Sequence, residues 1–205
     1  MVNVPARRLG LRGKVGDFGA GRAADAMRAV PRRGFLPEAE RDRADVDAPI
    51  ALGPGQTNSQ PTTVFRMLEL LDVPAASRVL DVGAGSGWTT ALLAHLVGPG
   101  GQVIGVELDA ELAAWGAGNV SAHGFSWADV LPASDGVLGW PGAAPYDRIL
   151  VSAEASQLPQ QLVDQLAPHG AMVLPVRRKL LLVRKRGDGE LDVTKHGTYL
   201  FVPLR

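Results

Sequence analysis

Residues 79–88, Val-Leu-Asp-Val-Gly-Ala-Gly-Ser-Gly-Trp, join an apolar run to a carboxylate and three glycines spaced by one. Gly83, Gly85 and Gly87 lack Cβ atoms, so the backbone can turn tightly and lie close against a ligand. A helical pattern begins at Trp88, and the free N–H groups of a helix start would face the same ligand. A dinucleotide loop needs G-x-G-x-x-G. Its third glycine would fall at position 88 or 90, where this chain has Trp and Thr. Asp81 stands two residues before the loop, and the next apolar run, 102–107, ends in Glu107. A carboxylate there can accept two hydrogen bonds from the vicinal hydroxyls of a ribose. The ligand reads as a nucleoside that carries no pyrophosphate; the competing reading is a purely structural glycine turn.

A second group of reactive types lies upstream in Gly-Gln-Thr-Asn-Ser-Gln-Pro, residues 55–61. Pro61 suits the first turn of a helix, and Asn58 or Ser59 could cap it. Val64, Met67, Leu68 and Leu71 then follow at i, i+3, i+4 and i+7, one buried stripe. From local sequence, the Ser59 hydroxyl is either that cap or a group aimed at a substrate.

The elements that must hold these residues alternate. A short helical pattern covers Ala24–Val30. After Pro74, strand patterns at Arg78–Val82, Gln102–Glu107, Phe125–Val130, Asp147–Ala153 and Ala171–Val176 are separated by helical patterns at Trp88–Val97, Ala110–Gly118 and Leu158–Leu166. Gly116 and Gly118 each weaken their helix by about 1 kcal/mol relative to Ala. Such alternation predicts an α/β fold: a mostly parallel sheet with helices on both faces. Lys179–Arg186 and Thr198–Val202, joined through a Gly-Asp-Gly-Glu turn, predict an antiparallel C-terminal strand pair. In this architecture ligands sit beyond the carboxyl ends of the strands, where the glycine loop and Glu107 both fall.

Composition narrows the chemistry. The 205 residues contain no cysteine, which excludes disulfides, thiolate metal sites and a Cys nucleophile. Lys plus Arg and Asp plus Glu both number 21, so no net charge draws the chain to nucleic acid or anionic lipid. No apolar stretch reaches the roughly 20 residues of a bilayer span. His95, His123, His169 and His196 lack metal-ligand spacing. The basic cluster Arg177, Arg178, Lys179, Arg184, Lys185 and Arg186 reads as solvated flanks of an edge strand, where charge blocks aggregation. Trp88 either packs or borders the ligand. Residues 1–20 show no period and read as loosely draped. A monomeric, cytoplasmic protein with no metal and no nucleic-acid or membrane partner is expected.

The glycine loop resembles that of the class I methyltransferases that use S-adenosyl-L-methionine. A larger block narrows the likeness. "AMRAVPRRGFLPEAERDRADVDAPIALGPGQTNSQP", "LGWPGAAPYDRILVSA", "LVDQLAPHGAMVLPV" and the final "YLFVPL" resemble, in order and spacing, the protein-L-isoaspartate O-methyltransferases. The resemblance runs from about residue 21 to the end. It implies a Rossmann-like methyltransferase fold and S-adenosyl-L-methionine as cofactor, with S-adenosyl-L-homocysteine as product. It implies a loop of Gly83, Gly85 and Gly87, with Asp81, passing under the methionine part. It also implies Glu107 on the ribose and Ser134, Asp135 and Gly136 near the adenine. Thr57 and Ser59 would lie over the cofactor, Ser59 as the active-site residue. Peptides or proteins bearing isoaspartyl residues would be the acceptors, methylated on the free carboxylate in a repair reaction. Residues 1–60 would form an N-terminal extension and cover, and 61–205 the cofactor domain, within one compact unit.

The chemistry asks little of side chains. A carboxylate nucleophile, with a pKa near 4, is already ionised at neutral pH, so no strong base is required. Orientation of the reacting groups can supply on the order of 7–11 kcal/mol. The chain departs from the family pattern at Pro54, often a polar residue; at Ser134, commonly Gly; and at Glu154 and Ser156, where small residues are usual. A Glu154 carboxylate facing the cleft would repel an anionic acceptor and favour a different one; facing solvent, it would not. A different peptide or small-molecule acceptor, or a non-catalytic cofactor-binding module, are the competing functions.

Overall fold

A computed structural model describes residues 16–53 and 55–205; the expectations for residues 1–15 and for Pro54 lie outside the described residues. In chain order the elements are α1 (Arg22–Ala29), β1 (Ile50–Gly53), β2 (Gln56–Asn58), α2 (Pro61–Leu71), β3 (Arg78–Val82), α3 (Trp88–Val97), β4 (Gln102–Glu107) and α4 (Ala110–Ala122). Next come β5 (Ala128–Pro132), β6 (Tyr146–Val151), α5 (Gln160–Asp164), β7 (Leu166–Val176), β8 (Lys179–Lys185) and β9 (Leu191–Thr198).

The main sheet has seven strands in the order β5-β4-β3-β6-β7-β8-β9. The first five are parallel, and β8 and β9 add antiparallel pairings. The α/β expectation holds. The chain enters at β3, winds outward through β4 and β5, then crosses back to β6. The strand order therefore reverses between β3 and β6, which opens a crevice at their carboxyl ends.

Strand alternation divides the core into two layers. Val79, Val103, Leu150, Val173, Leu180 and Leu182 pack with the stripe of α2 and with α3 on one face. Leu80, Val82, Ile104, Val106, Ile149, Val151, Met172 and Leu174 pack with Leu162 and Val163 of α5 on the other. Met27, Val30 and Phe35 belong to the first layer. The segment before residue 60 thus shares a core with the cofactor domain. Nearly every residue of α3 is buried, because the sheet, α1 and α4 surround it.

Several boundaries move. Helix α4 continues to Ala122, four residues past the predicted end. Helix α5 is only five residues long. Strand β7 starts at Leu166, ahead of the predicted Ala171. The last strand is Leu191–Thr198, not Thr198–Val202. It is the sheet's outer edge and mostly exposed, so it carries no hydrophobic signal. Consequently β8, with Leu180–Val183 buried, is an interior strand and not the edge. Its basic flanks make specific bonds: Lys185 Nζ donates to the carbonyls of Val163 (3.1 Å) and Leu166 (2.9 Å).

Candidate active site

The glycine loop is built by close packing. Gly83, Gly85 and Gly87 all take left-handed backbone angles (φ 77°, 56° and 85°). A Cβ on Gly87 would lie 2.7 Å from the Gly116 carbonyl oxygen, and one on Gly116 would lie 2.8 Å from the Gly85 carbonyl oxygen. The helix weakness at Gly116 is therefore what lets α4 press against the loop. Gly118 has open space beside it and no such role. Asn119 Nδ2 adds a bond to the Ser86 carbonyl (2.9 Å).

Glu107 ends β4, almost fully buried. Its Oε2 accepts from the Gly85 N–H (2.9 Å), and Oε1 from the N–H groups of Leu108 (2.8 Å) and Asp109 (3.2 Å). The carboxylate is thus fixed by backbone donors, with lone pairs left for hydroxyl donors. Asp81 is different. It lies beneath the loop, fully buried, and is not part of the cavity wall. Its Oδ2 accepts from the hydroxyls of Thr89 (2.6 Å) and Thr90 (2.8 Å) at the start of α3. Burial pushes its pKa up to about 6; the two threonine bonds oppose this and the Glu107 charge adds to it. Asp81 supports the loop from behind.

Beyond the strand ends lies a cavity of about 610 Å³, within the usual range for small-molecule sites. Its wall includes Thr57, Ser59, Gly83, Gly85, Glu107, Ser134, Asp135 and Gly136. Of the predicted site residues, Asp81 and Gly87 are not at the wall: Asp81 is under it, and Gly87 is turned towards α4. Trp88 satisfies both readings, since it borders the cavity and is also core, its Nε1 donating to the Val30 carbonyl (3.0 Å).

The upstream motif forms a two-stranded antiparallel lid, β1 with β2. Neither Asn58 nor Ser59 caps α2. Gln60 is the N-cap position and makes no side-chain cap bond. Asp47 takes that place instead: Oδ1 accepts from the Thr62 N–H (3.0 Å), and Oδ2 from the Thr62 hydroxyl (2.9 Å) and Gln60 Nε2 (2.9 Å). Ser59 is left at the cavity wall.

The far side of the cleft is formed by the C-terminal tail. Val202–Arg205 runs beside Glu154: the Glu154 N–H donates to the Val202 carbonyl (2.7 Å), and the Leu204 N–H to the Glu154 carbonyl (2.8 Å). Those tail residues line the cavity, and Glu154 is not among its lining residues. Ser156 is at the wall, its carbonyl held by Arg177 Nε (2.8 Å). Leu108, Leu112, Ser152, Gln157 and Gln161 also line the cleft. Their only sequence signal is position just after a strand or facing a strand end.

The wall suits a nucleoside sulfonium. A buried, backbone-fixed carboxylate stands ready for ribose hydroxyls, and Leu108 and Leu112 offer apolar surface. Two carboxylates, Glu107 and Asp135, face one cation, Arg205, among the described residues of the wall. That balance favours a positively charged ligand.

Fold and site together define a class I, S-adenosyl-L-methionine-dependent methyltransferase. The chain belongs to the protein-L-isoaspartate(D-aspartate) O-methyltransferase family, whose model matches residues 13–205. It is 46% identical over 194 residues to the protein-L-isoaspartate O-methyltransferase of Methanopyrus kandleri, covering 93% of this chain and 86% of that one. It is 44% identical over 187 residues to that of Aeropyrum pernix, covering 89% and 72%. Among solved structures, a protein-L-isoaspartate O-methyltransferase superposes with a TM-score of 0.81 at 25% identity, covering 91% of this chain and 62% of that one. A β-aspartate methyltransferase from Plasmodium falciparum, in complex with S-adenosyl-L-homocysteine, shares the fold with a TM-score of 0.77 at 24% identity, covering 91% of each chain.

Proposed function

We propose that this chain methylates the free α-carboxylate of L-isoaspartyl residues in peptides and proteins, with S-adenosyl-L-methionine as donor. The observation that carries the reading is that one cavity holds both the glycine loop with Glu107 and the Thr57–Ser59 lid. S-adenosyl-L-methionine supplies a methyl group on a cationic sulfur, which the acceptor oxygen takes as the carbon–sulfur bond breaks towards sulfur.

The protein's part is binding and aim. Glu107 holds the ribose and Asp135 lies towards the adenine, with Ser134 and Gly136 in the same loop. Ser59 donates its hydroxyl proton in a hydrogen bond to the acceptor carboxylate and orients it; Thr57 closes the site beside it. An anion and a cation become two neutral groups during transfer, so exclusion of bulk water by the lid raises the rate.

Transfer of labelled methyl to an isoaspartyl peptide, with the matched aspartyl peptide as control, tests the reading. Label on the isoaspartyl peptide, released as methanol when the ester collapses to succinimide, is expected. Label on neither peptide would overturn it.

A further inference from the structure

Arg32 follows Pro31 in a short turn and is 4% exposed. It is the hub beneath the lid. Its Nε donates to Asn58 Oδ1 (2.6 Å), and Nη2 to the carbonyls of Asn58 (2.8 Å) and Ala48 (3.0 Å). Nη1 donates to the Val46 carbonyl (3.2 Å), and the guanidinium carbon lies 5.6 Å from the centre of the Trp88 ring. Burial lowers its pKa to about 10, so it stays cationic at neutral pH.

Arginine has only donors. The Asn58 amide must therefore turn its oxygen to Arg32, which leaves its nitrogen to donate onwards. That nitrogen meets Ser86 Oγ at 3.1 Å. Ser86 sits between Gly85 and Gly87 in the cofactor loop, and Asn58 sits between Thr57 and Ser59 in the lid. The link is buried at both Asn58 (5% exposed) and Ser86 (1% exposed). Breaking it strands a buried polar group.

We propose that Arg32, acting through Asn58 and Ser86, is a positioning residue that locks the Thr57–Ser59 lid to the cofactor loop, so that filling the loop prepares the acceptor site. The lock rests on the methyltransferase reading above. Arg32 is not at the cavity wall, whereas Asn58 and Ser86 are; through them Arg32 sets where Ser59 stands relative to Gly85 and Glu107. Because coupling is reciprocal, the peptide must tighten cofactor-product binding by the same factor as the product tightens peptide binding.

The test is calorimetric. Affinity for an isoaspartyl peptide is measured with and without saturating S-adenosyl-L-homocysteine, in the parent and in Ser86→Ala, Asn58→Ala and Arg32→Lys. The parent is expected to bind peptide about 10-fold or more tightly when the product is present, a coupling of the usual allosteric size. Ser86→Ala, which removes one hydroxyl, should cut that ratio to about 2-fold or less; because Ser86 lies in the cofactor loop and lines the cavity, the ratio and not either affinity alone is the readout. Arg32→Lys should do the same, because a single ammonium cannot reproduce the fork. If Asn58→Ala or Arg32→Lys fails to fold, Ser86→Ala decides. An unchanged ratio in Ser86→Ala, or no ratio in a parent that methylates the peptide, overturns the lock; a parent that methylates nothing overturns the underlying reading instead.

Discussion

The Gly85 N–H donates to Glu107 Oε2 over 2.9 Å, so one hydrogen bond joins the glycine loop to the carboxylate at the end of β4. The loop has three left-handed glycines and no side chain of its own to brace it apart from Ala84 and Ser86. The acid, for its part, is buried and needs backbone donors. The second acid beneath, Asp81, anchors the next turn of chain to the same strand end.

Glu107→Ala should weaken S-adenosyl-L-methionine binding by about 10- to 100-fold, the worth of hydrogen bonds to a charged group. Glu107→Gln should not restore it, because either orientation of the amide puts an NH2 against a backbone N–H. Calorimetry with S-adenosyl-L-homocysteine measures this; unchanged affinity would rule out the ribose role.

Two glycines two residues apart, on opposite sides of α4, should behave oppositely. Gly118→Ala faces open space and should stabilise by up to about 1 kcal/mol through helix propensity. Gly116→Ala meets the Gly85 carbonyl at 2.8 Å and should destabilise by about 1–3 kcal/mol as overpacking, with weaker cofactor binding. Denaturant melts of the pair give the comparison.

Ser59→Ala should lower kcat by about 10- to 100-fold, the loss of one hydrogen bond to a carboxylate, with cofactor-product affinity unchanged. Asp47→Ala should do the reverse. It removes the true cap of α2, costing about 1 kcal/mol and a few degrees of Tm, about 2–4 °C for a chain of this size. Steady-state kinetics and thermal melts separate the two roles.

The cap of α2 comes from a distant part of the chain. Asp47 lies fifteen positions before Thr62, and no local pattern ties them; Asn58 and Ser59 stood in the conventional place. The strands β3, β4 and β6 and the helix α3 were legible because each carries a run of apolar residues broken by few polar ones. Strand β9 was not, because an exposed edge pairs through its backbone, which every residue carries. The cavity floor could be read from Gly83, Gly85 and Glu107, whose types are demanded by the turn and the ribose. The tail Val202–Arg205 could not, because it reaches the cleft through backbone bonds to Glu154.

Asp81 should leave a mark on stability against pH. Its folded pKa, about 6, lies above the unfolded value near 3.9, so between these values the native state binds more protons than the unfolded state. Its contribution therefore favours the native state below about pH 4, falls as pH rises through the window to about 6, and is flat above. Asp81→Asn should remove that downward slope. Unfolding free energies at pH 4, 5, 6 and 7 for both proteins, with the same slope in each, would refute the assignment.

The most direct test of the site is a crystal structure with S-adenosyl-L-homocysteine. The ligand is expected in the cavity beyond β3 and β4, its ribose hydroxyls on Glu107, its adenine towards Asp135 and its sulfur beneath Ser59. Density for the ligand elsewhere, or a ribose out of reach of Glu107, would contradict the account.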